Sequence, residues 1–228
     1  MVQAQNERRN AQELSPILVT AKGGFEEPQF SSTWSAESIE NENKLRISRS
    51  MPEALTGIPS VMVQKTALGQ SSPYIRGLTG YHNLLLVDGI RLNHSAMRSG
   101  PNQYWSTVET QGSERIEVIR GPNGIIHGAD AIGGVVNILS ANPTFSESGM
   151  SQEGYFWGRL SSAENSWSAG LRGTVSSPEW FAELTHVERS FGDLEGGRLV
   201  GEQRNTGYDS RGTNFRLSRK LSKDSGMS

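Results

Sequence analysis

The sequence predicts an α+β domain, a small mixed sheet with short helices and long loops, running on into a series of antiparallel strands. Three observations carry that prediction. Between Ser35 and Asn142, short β-forming runs are separated by glycine, proline and asparagine turns. From Tyr155 onward the pattern changes to strict alternation of period two. Hydrophobic residues are only 34% of the chain while glycine occurs 26 times, a balance that favours short strands and turns over packed helices.

Composition also excludes several functions. The formal charge of −2 offers no basic face for nucleic acid. The absence of cysteine removes disulfides, thiolate metal sites and a cysteine nucleophile. No run approaches the ~18 apolar residues of a spanning helix, and the opening residues after Arg8 and Arg9 lack the apolar core of a signal peptide. Neither point speaks against a membrane β-barrel, whose strands alternate between lipid and lumen.

Taken in order, residues 1–30 read as a flexible polar arm. Its one apolar island, Ile17-Leu18-Val19, is set off by Pro16 and Gly23-Gly24. Residues 31–145 form the compact domain. Ser50 is a candidate helix cap, with Pro52 and Glu53 suited to a first turn and Gly57 and Pro59 ending it. Strands are expected at Val61–Val63, Tyr74–Arg76, Leu84–Val87, Arg115–Ile119 and Val135–Leu139. Leu84–Val87 is apolar on both faces, as a central strand would be, and Asp88-Gly89 turns the chain behind it. Residues 146–228 then supply alternating strands. Trp167, Ala169, Leu171 and Val175 alternate with Ser168, Arg172, Thr174 and Ser176. Trp180, Ala182 and Leu184 repeat the pattern, as do Phe215, Leu217 and Leu221. The tight Ser177-Pro178 turn contrasts with a long charged connection from Ser190 to Ser210, the habit of an outer-membrane barrel. Periodicity alone serves a soluble antiparallel sandwich equally well.

Four motifs in the compact domain bear on function. They are RSMPEALTGIPSVMVQ (Arg49 to Gln64), YIRGLTGYHNLLLVDGIRLN (Tyr74 to Asn93), ERIEVIRGP (Glu114 to Pro122) and HGADAIGGVVNIL (His127 to Leu139). Gly77, Gly89 and Gly121 each close a strand where a positive φ is expected, and Gly133-Gly134 inside a β-forming run points to a bulge or close backbone packing. In order and spacing the four motifs resemble the plug of the TonB-dependent outer-membrane receptors. His127 and Ala129 depart from that family's usual Tyr and Ser. The resemblance implies an α+β plug domain followed by the first few strands of a transmembrane β-barrel. It implies that Arg76, Asp88, Glu114, Arg115, Glu117 and Arg120 meet a polar barrel wall instead of water, with the wall partners outside this chain; a plain solvated sheet face is the alternative.

The same resemblance makes Ile17, Leu18, Val19, Thr20 and Ala21 the TonB box, an extended segment that adds a strand to the sheet edge of TonB. Taken alone, such an island is as readily the first strand of a domain. It also makes Lys65–Ser72, Leu78–His82 and Asn93–Trp105 the apical loops where ligand would sit. His82, His94, Arg98, Asn102, Tyr104 and Trp105 are the candidate ligand residues, able to stack on rings and grip anions. The two histidines are as readily solvated loop residues, and no metal site or cofactor is assigned.

The family implies a ligand-gated, TonB-energised uptake receptor for a scarce nutrient such as a siderophore, haem or cobalamin. Expected partners are TonB, outer-membrane lipid and a small-molecule ligand, with no nucleic acid. The expected place is the outer membrane of a Gram-negative bacterium. A soluble plug-only binding module is the alternative. An enzyme is not expected: the glycine-rich run from Gly121 lacks the spacing of a phosphate loop, and no nucleophile accompanies the carboxylates. The stretch after Met150 has room for roughly four to six strands, against ~22 in large plugged transporters. The chain therefore reads as an N-terminal fragment, unable by itself to close a barrel.

Overall fold

The structure is a computed structural model and describes residues 18–19, 27–28, 35–40, 48–101, 103–162 and 164–221. In the arm, β1 (Leu18–Val19) pairs antiparallel with β2 (Glu27–Pro28), and β3 (Ser35–Glu40) leads into the domain. Then follow helix α1 (Met51–Ala54) and strands β4 (Val61–Ala67), β5 (Gln70–Ile75), β6 (Asn83–Val87), β7 (Ile90–Arg91) and β8 (Ser113–Arg120). Helix α2 (Gly124–His127) and β9 (Gly134–Ser140) complete it.

Five of these strands make one sheet in the order β3-β8-β9-β6-β7, while β4 and β5 form a separate hairpin. The parallel pair β6–β9 lies inside the sheet, which explains why Leu84 to Leu86 are almost fully buried. One face packs Leu85, Ile116, Val118, Val136 and Ile138 against Met51, Leu55 and Trp105. The other packs Leu84, Leu86, Ile119 and Val135 on Ala131. Asp88 (φ 49) and Gly89 (φ 78) are both left-handed, making the two-residue primed turn that joins β6 to β7. Arg76 and Gly77 repeat this pair of conformations after β5. A Cβ on Gly134 would fall 2.6 Å from the Ile119 carbonyl oxygen, so the predicted close backbone approach is real and no larger residue fits.

Several local expectations need correction. Ser50 does not cap α1. Its hydroxyl bonds to that of Ser71 at 2.6 Å, and the Glu53 carboxylate instead accepts from the Arg49 N–H at 2.6 Å. The expected loop Lys65–Ser72 is the tip of the β4–β5 hairpin. Its strands run further than predicted because the added positions are mostly polar, Ser71 and Ser72 being buried on β5, so hydrophobic alternation stops before pairing does. Helix α2 has no counterpart among the expected elements, and its Ile125 and Ile126 face outward.

After residue 150 four long strands form an antiparallel sheet: β10 (Ser151–Ser161), β11 (Ser166–Ser176) and β12 (Trp180–Phe191), then β15 (Tyr208–Arg219). The last connection contains a small hairpin of β13 (Leu194–Glu195) and β14 (Glu202–Gln203). The alternation is real, and its direction is decisive. On β12 the side turned to the α+β domain buries Glu183, Thr185 and Arg189 together with Phe181, Val187 and Phe191, whereas Leu184 on the opposite side is 43% exposed. On β11, Ser166 and Ser168 are buried while Trp167 and Leu171 are exposed, as are Phe156, Phe215 and Leu217 of the flanking strands. A soluble sandwich would turn its apolar face inward. This sheet turns it out.

Candidate functional site: the seam between domain and wall

The domain sits against the inner face of the β10-β11-β12-β15 wall, where Glu183, Thr185 and Arg189 lie in line with Phe181, Val187 and Phe191. Two ion pairs join them near the end that carries the long loop. Arg49, just ahead of α1, forms a two-pronged pair with Glu164 in the β10–β11 turn, Nε to Oε1 at 2.9 Å and Nη2 to Oε2 at 2.7 Å. The same guanidinium holds Glu53 at 2.9 Å, and Glu53 also pairs with Lys65 on β4. The second pair is reversed in sense. Glu109 of the domain accepts from Arg189 on β12, Nη2 to Oε1 at 3.0 Å, with both side chains nearly buried.

Electrostatics follow the geometry. The hydrogen bond to Glu164, together with both carboxylates, raises Arg49 above its ordinary pKa despite partial burial. Burial alone would push Glu53 up, but the bonds from Lys65 and from the Arg49 N–H outweigh it and hold the carboxyl below the usual range. Glu164 is likewise lowered, burial being outweighed by Arg49 and Ser166.

Between the pairs the β4–β5 turn touches the wall directly. A Cβ on Gly69 would fall 0.7 Å from the Tyr208 hydroxyl oxygen, so only glycine fits beneath this ring. Tyr208 is in turn stacked on Phe191, with ring centroids 4.8 Å apart. Around these contacts a cavity of mixed character is lined by Met51, Val108, Gln103, Ser106, Asp209 and Ser210.

Among the described residues, the charged residues expected at the wall have partners inside the domain. Arg115 Nε pairs with the fully buried Glu117 at 2.9 Å. Asp88 accepts from the Ser140 N–H and hydroxyl, each at 2.8 Å, fixing the end of β9. Arg120 donates to the Pro59 carbonyl at 2.8 Å and lies 3.6 Å from Glu37. Glu114 accepts from the Asn142 N–H at 3.3 Å, and the Arg76 guanidinium lies over Gly121. The wall partners that do appear, Glu164 and Arg189, lie within this chain. Neither Arg49 nor Glu109 stands out in the sequence as a wall contact, because nothing local marks a residue whose partner lies 80 or more positions away.

The expected ligand residues divide. The two loops carrying them are joined, the Tyr81 N–H donating to the Arg98 carbonyl at 3.2 Å, where Gly80 (φ 67) passes against the backbone of Ser99. His94 meets Tyr104 edge-on at 5.6 Å, Arg98 bonds Gln103 at 3.0 Å, and His82 lies beside Tyr81. Trp105 is a correction: at 2% exposure it is a core residue and presents nothing to a ligand. Asn102, Ile17, Thr20 and Ala21 lie outside the described residues. No group of metal-ligating side chains occurs among the described residues.

A mixed α+β domain seated on the inner face of an outward-apolar antiparallel sheet defines a plugged membrane barrel. Comparison with known proteins agrees. Residues 25–135 match the TonB-dependent Receptor Plug Domain. Over 127 residues the chain is 33% identical to the vitamin B12 transporter BtuB of Photobacterium profundum, covering 55% of this chain and 20% of that protein. In fold it is similar to the siderophore receptor PirA from Acinetobacter baumannii, with a TM-score of 0.63 and 21% identity over 91% of this chain and 31% of that one. The ferric yersiniabactin uptake receptor FyuA from Yersinia pestis gives a TM-score of 0.62 and 18% identity, over 82% and 29%. Residues 25–135 are thus a plug domain of the TonB-dependent receptor type. The chain spans about a fifth of the length of the curated relative. The family consists of transport receptors, not enzymes.

Proposed function

We propose that this chain is the plug-bearing part of a ligand-gated, TonB-energised uptake receptor for a scarce nutrient in the outer membrane of a Gram-negative bacterium. A siderophore, haem, cobalamin or a similar molecule is the cargo. The observation that carries this reading is the seam: a plug held by Arg49–Glu164 and Glu109–Arg189 against a wall whose outer face is apolar. Such an outer face suits lipid, and such a seam suits a stopper that has to move. The division into arm, plug and barrel at residues 1–30, 31–145 and 146–228 follows from the same reading.

The arm supplies the coupling. Strand β1 pairs with β2 over only two residues, Leu18 opposite Pro28 and Val19 opposite Glu27. Pro28 has no N–H to contribute, so the pairing is weak and an incoming sheet edge can replace it. In this reading TonB takes Ile17 to Ala21 as an added strand on the periplasmic side. Ligand meets His82, His94, Arg98 and Tyr104 on the opposite side, with Asn102 in the same loop.

The test is Leu18→Pro or Val19→Pro in the full-length receptor, assayed with labelled cyanocobalamin and ferric siderophores. Accumulation is expected to be lost while cell-surface binding persists. Unchanged accumulation would remove the TonB box from these residues.

A further inference from the structure

Three plug residues touch the same wall at the same end: Arg49 through Glu164, Gly69 under Tyr208, and Glu109 through Arg189. The covalent link lies on this side too. The segment after β9 is held by Arg216, which donates to the Ala141 carbonyl, and by the Ser146 N–H bonding to the Ser177 carbonyl at 3.2 Å. The ion pairs run in opposite senses, the plug giving the cation to one and the anion to the other. Exchanging the two sites would set Arg49 against Arg189 and Glu109 against Glu164, so the seat accepts one register. A two-pronged guanidinium–carboxylate contact also has fixed geometry.

We infer that Arg49, Gly69 and Glu109 are positioning residues that keep the plug attached to the β10-β11-β12-β15 wall, so that a passage opens along the side of the plug turned away from it. This rests on the uptake reading. It assigns the seam just described to the part of the machine that stays together.

The experiment uses the full-length receptor in a planar bilayer in potassium chloride, with force applied through a handle on the N-terminal arm and conductance as the readout. Glu109→Cys with Gly212→Cys creates a tether across the seam. A Cβ on Gly212 lies 3.2 Å from the Glu109 Cβ, within a few tenths of an ångström of disulfide spacing, and this chain contains no other cysteine. Conductance steps in the oxidised protein equal in size to those of the unmodified receptor are expected. Steps in the reduced protein alone would overturn the inference while leaving the uptake reading intact. No steps in either form would overturn both. A second variant needs no disulfide: Arg49→Ala with Glu109→Ala frees the seat, and larger open conductance is expected. Conductance equal to that of the unmodified receptor would show that these residues do not hold the plug.

Discussion

Arg189, on the inner face of β12, donates through Nη2 to Oε1 of Glu109 in the plug at 3.0 Å, and 80 residues of sequence separate them. Its Nε is buried and without a partner among the described residues. The guanidinium therefore depends on Glu109 for compensation in a seam that water reaches poorly. Glu109→Ala leaves this cation buried and unpaired, with an expected cost of about 3–5 kcal/mol. Glu109→Ala combined with Arg189→Ala recovers part of that loss. Urea midpoints of the four members of the cycle measure the coupling, and additive losses would deny the interaction.

Acid weakens the other pair. Glu53 and Glu164 have folded pKa values held below the ordinary value of 4.5. A depressed carboxylate contributes stability that is present above its unfolded pKa and lost as pH falls through the folded one. The seat is thus expected to hold from neutrality to about pH 4.5 and to loosen below it. Limited proteolysis of the plug across that range reads the change. Glu164→Gln removes that group's share of the acid dependence.

Gly69 allows no side chain under Tyr208. Gly69→Ala forces the β4–β5 turn away from the wall, an overpacking expected to cost about 1–3 kcal/mol. Tyr208→Ala in the same protein opens the space and restores the fit. Thermal unfolding of the single and double variants distinguishes this from a defect in the turn itself, which Tyr208→Ala would not repair.

Trp105 belongs to the core that seats α1 on the sheet. Trp105→Ala is expected to cost about 3–5 kcal/mol. Arg98→Ala, in the same loop and exposed, is expected to change ligand binding with little effect on stability. Melting temperature and surface binding, measured side by side, separate the two roles.

The outer face makes its own prediction. Leu171→Arg or Leu184→Arg places a cation in the proposed lipid-facing band, at an expected cost of about 2–4 kcal/mol if the residue lies near the bilayer midplane. Ser168→Thr, on the inner side of β11, is expected to be nearly neutral. Heat-modifiable gel mobility of the full-length receptor reports whether the barrel still forms.

Much of this protein was legible in its residues because the deciding interactions are local. The left-handed pairs Arg76-Gly77 and Asp88-Gly89, the doubly apolar run Leu84–Val87 and the period-two strands after residue 150 are set within a few positions. Motif order then identified the plug. Alternation could not say which face of the strands looks outward, since period two is the same for a sandwich and a barrel. That direction was decided only when Phe156, Trp167, Leu171, Phe215 and Leu217 turned out while Ser168, Glu183 and Arg189 turned toward the plug. Nor could the sequence foretell that Trp105 is core, or that Arg49 and Glu109 grip the wall strands described here. Which charges meet across a seam depends on how two separately folded units dock, and docking is a property of surfaces distant in the chain.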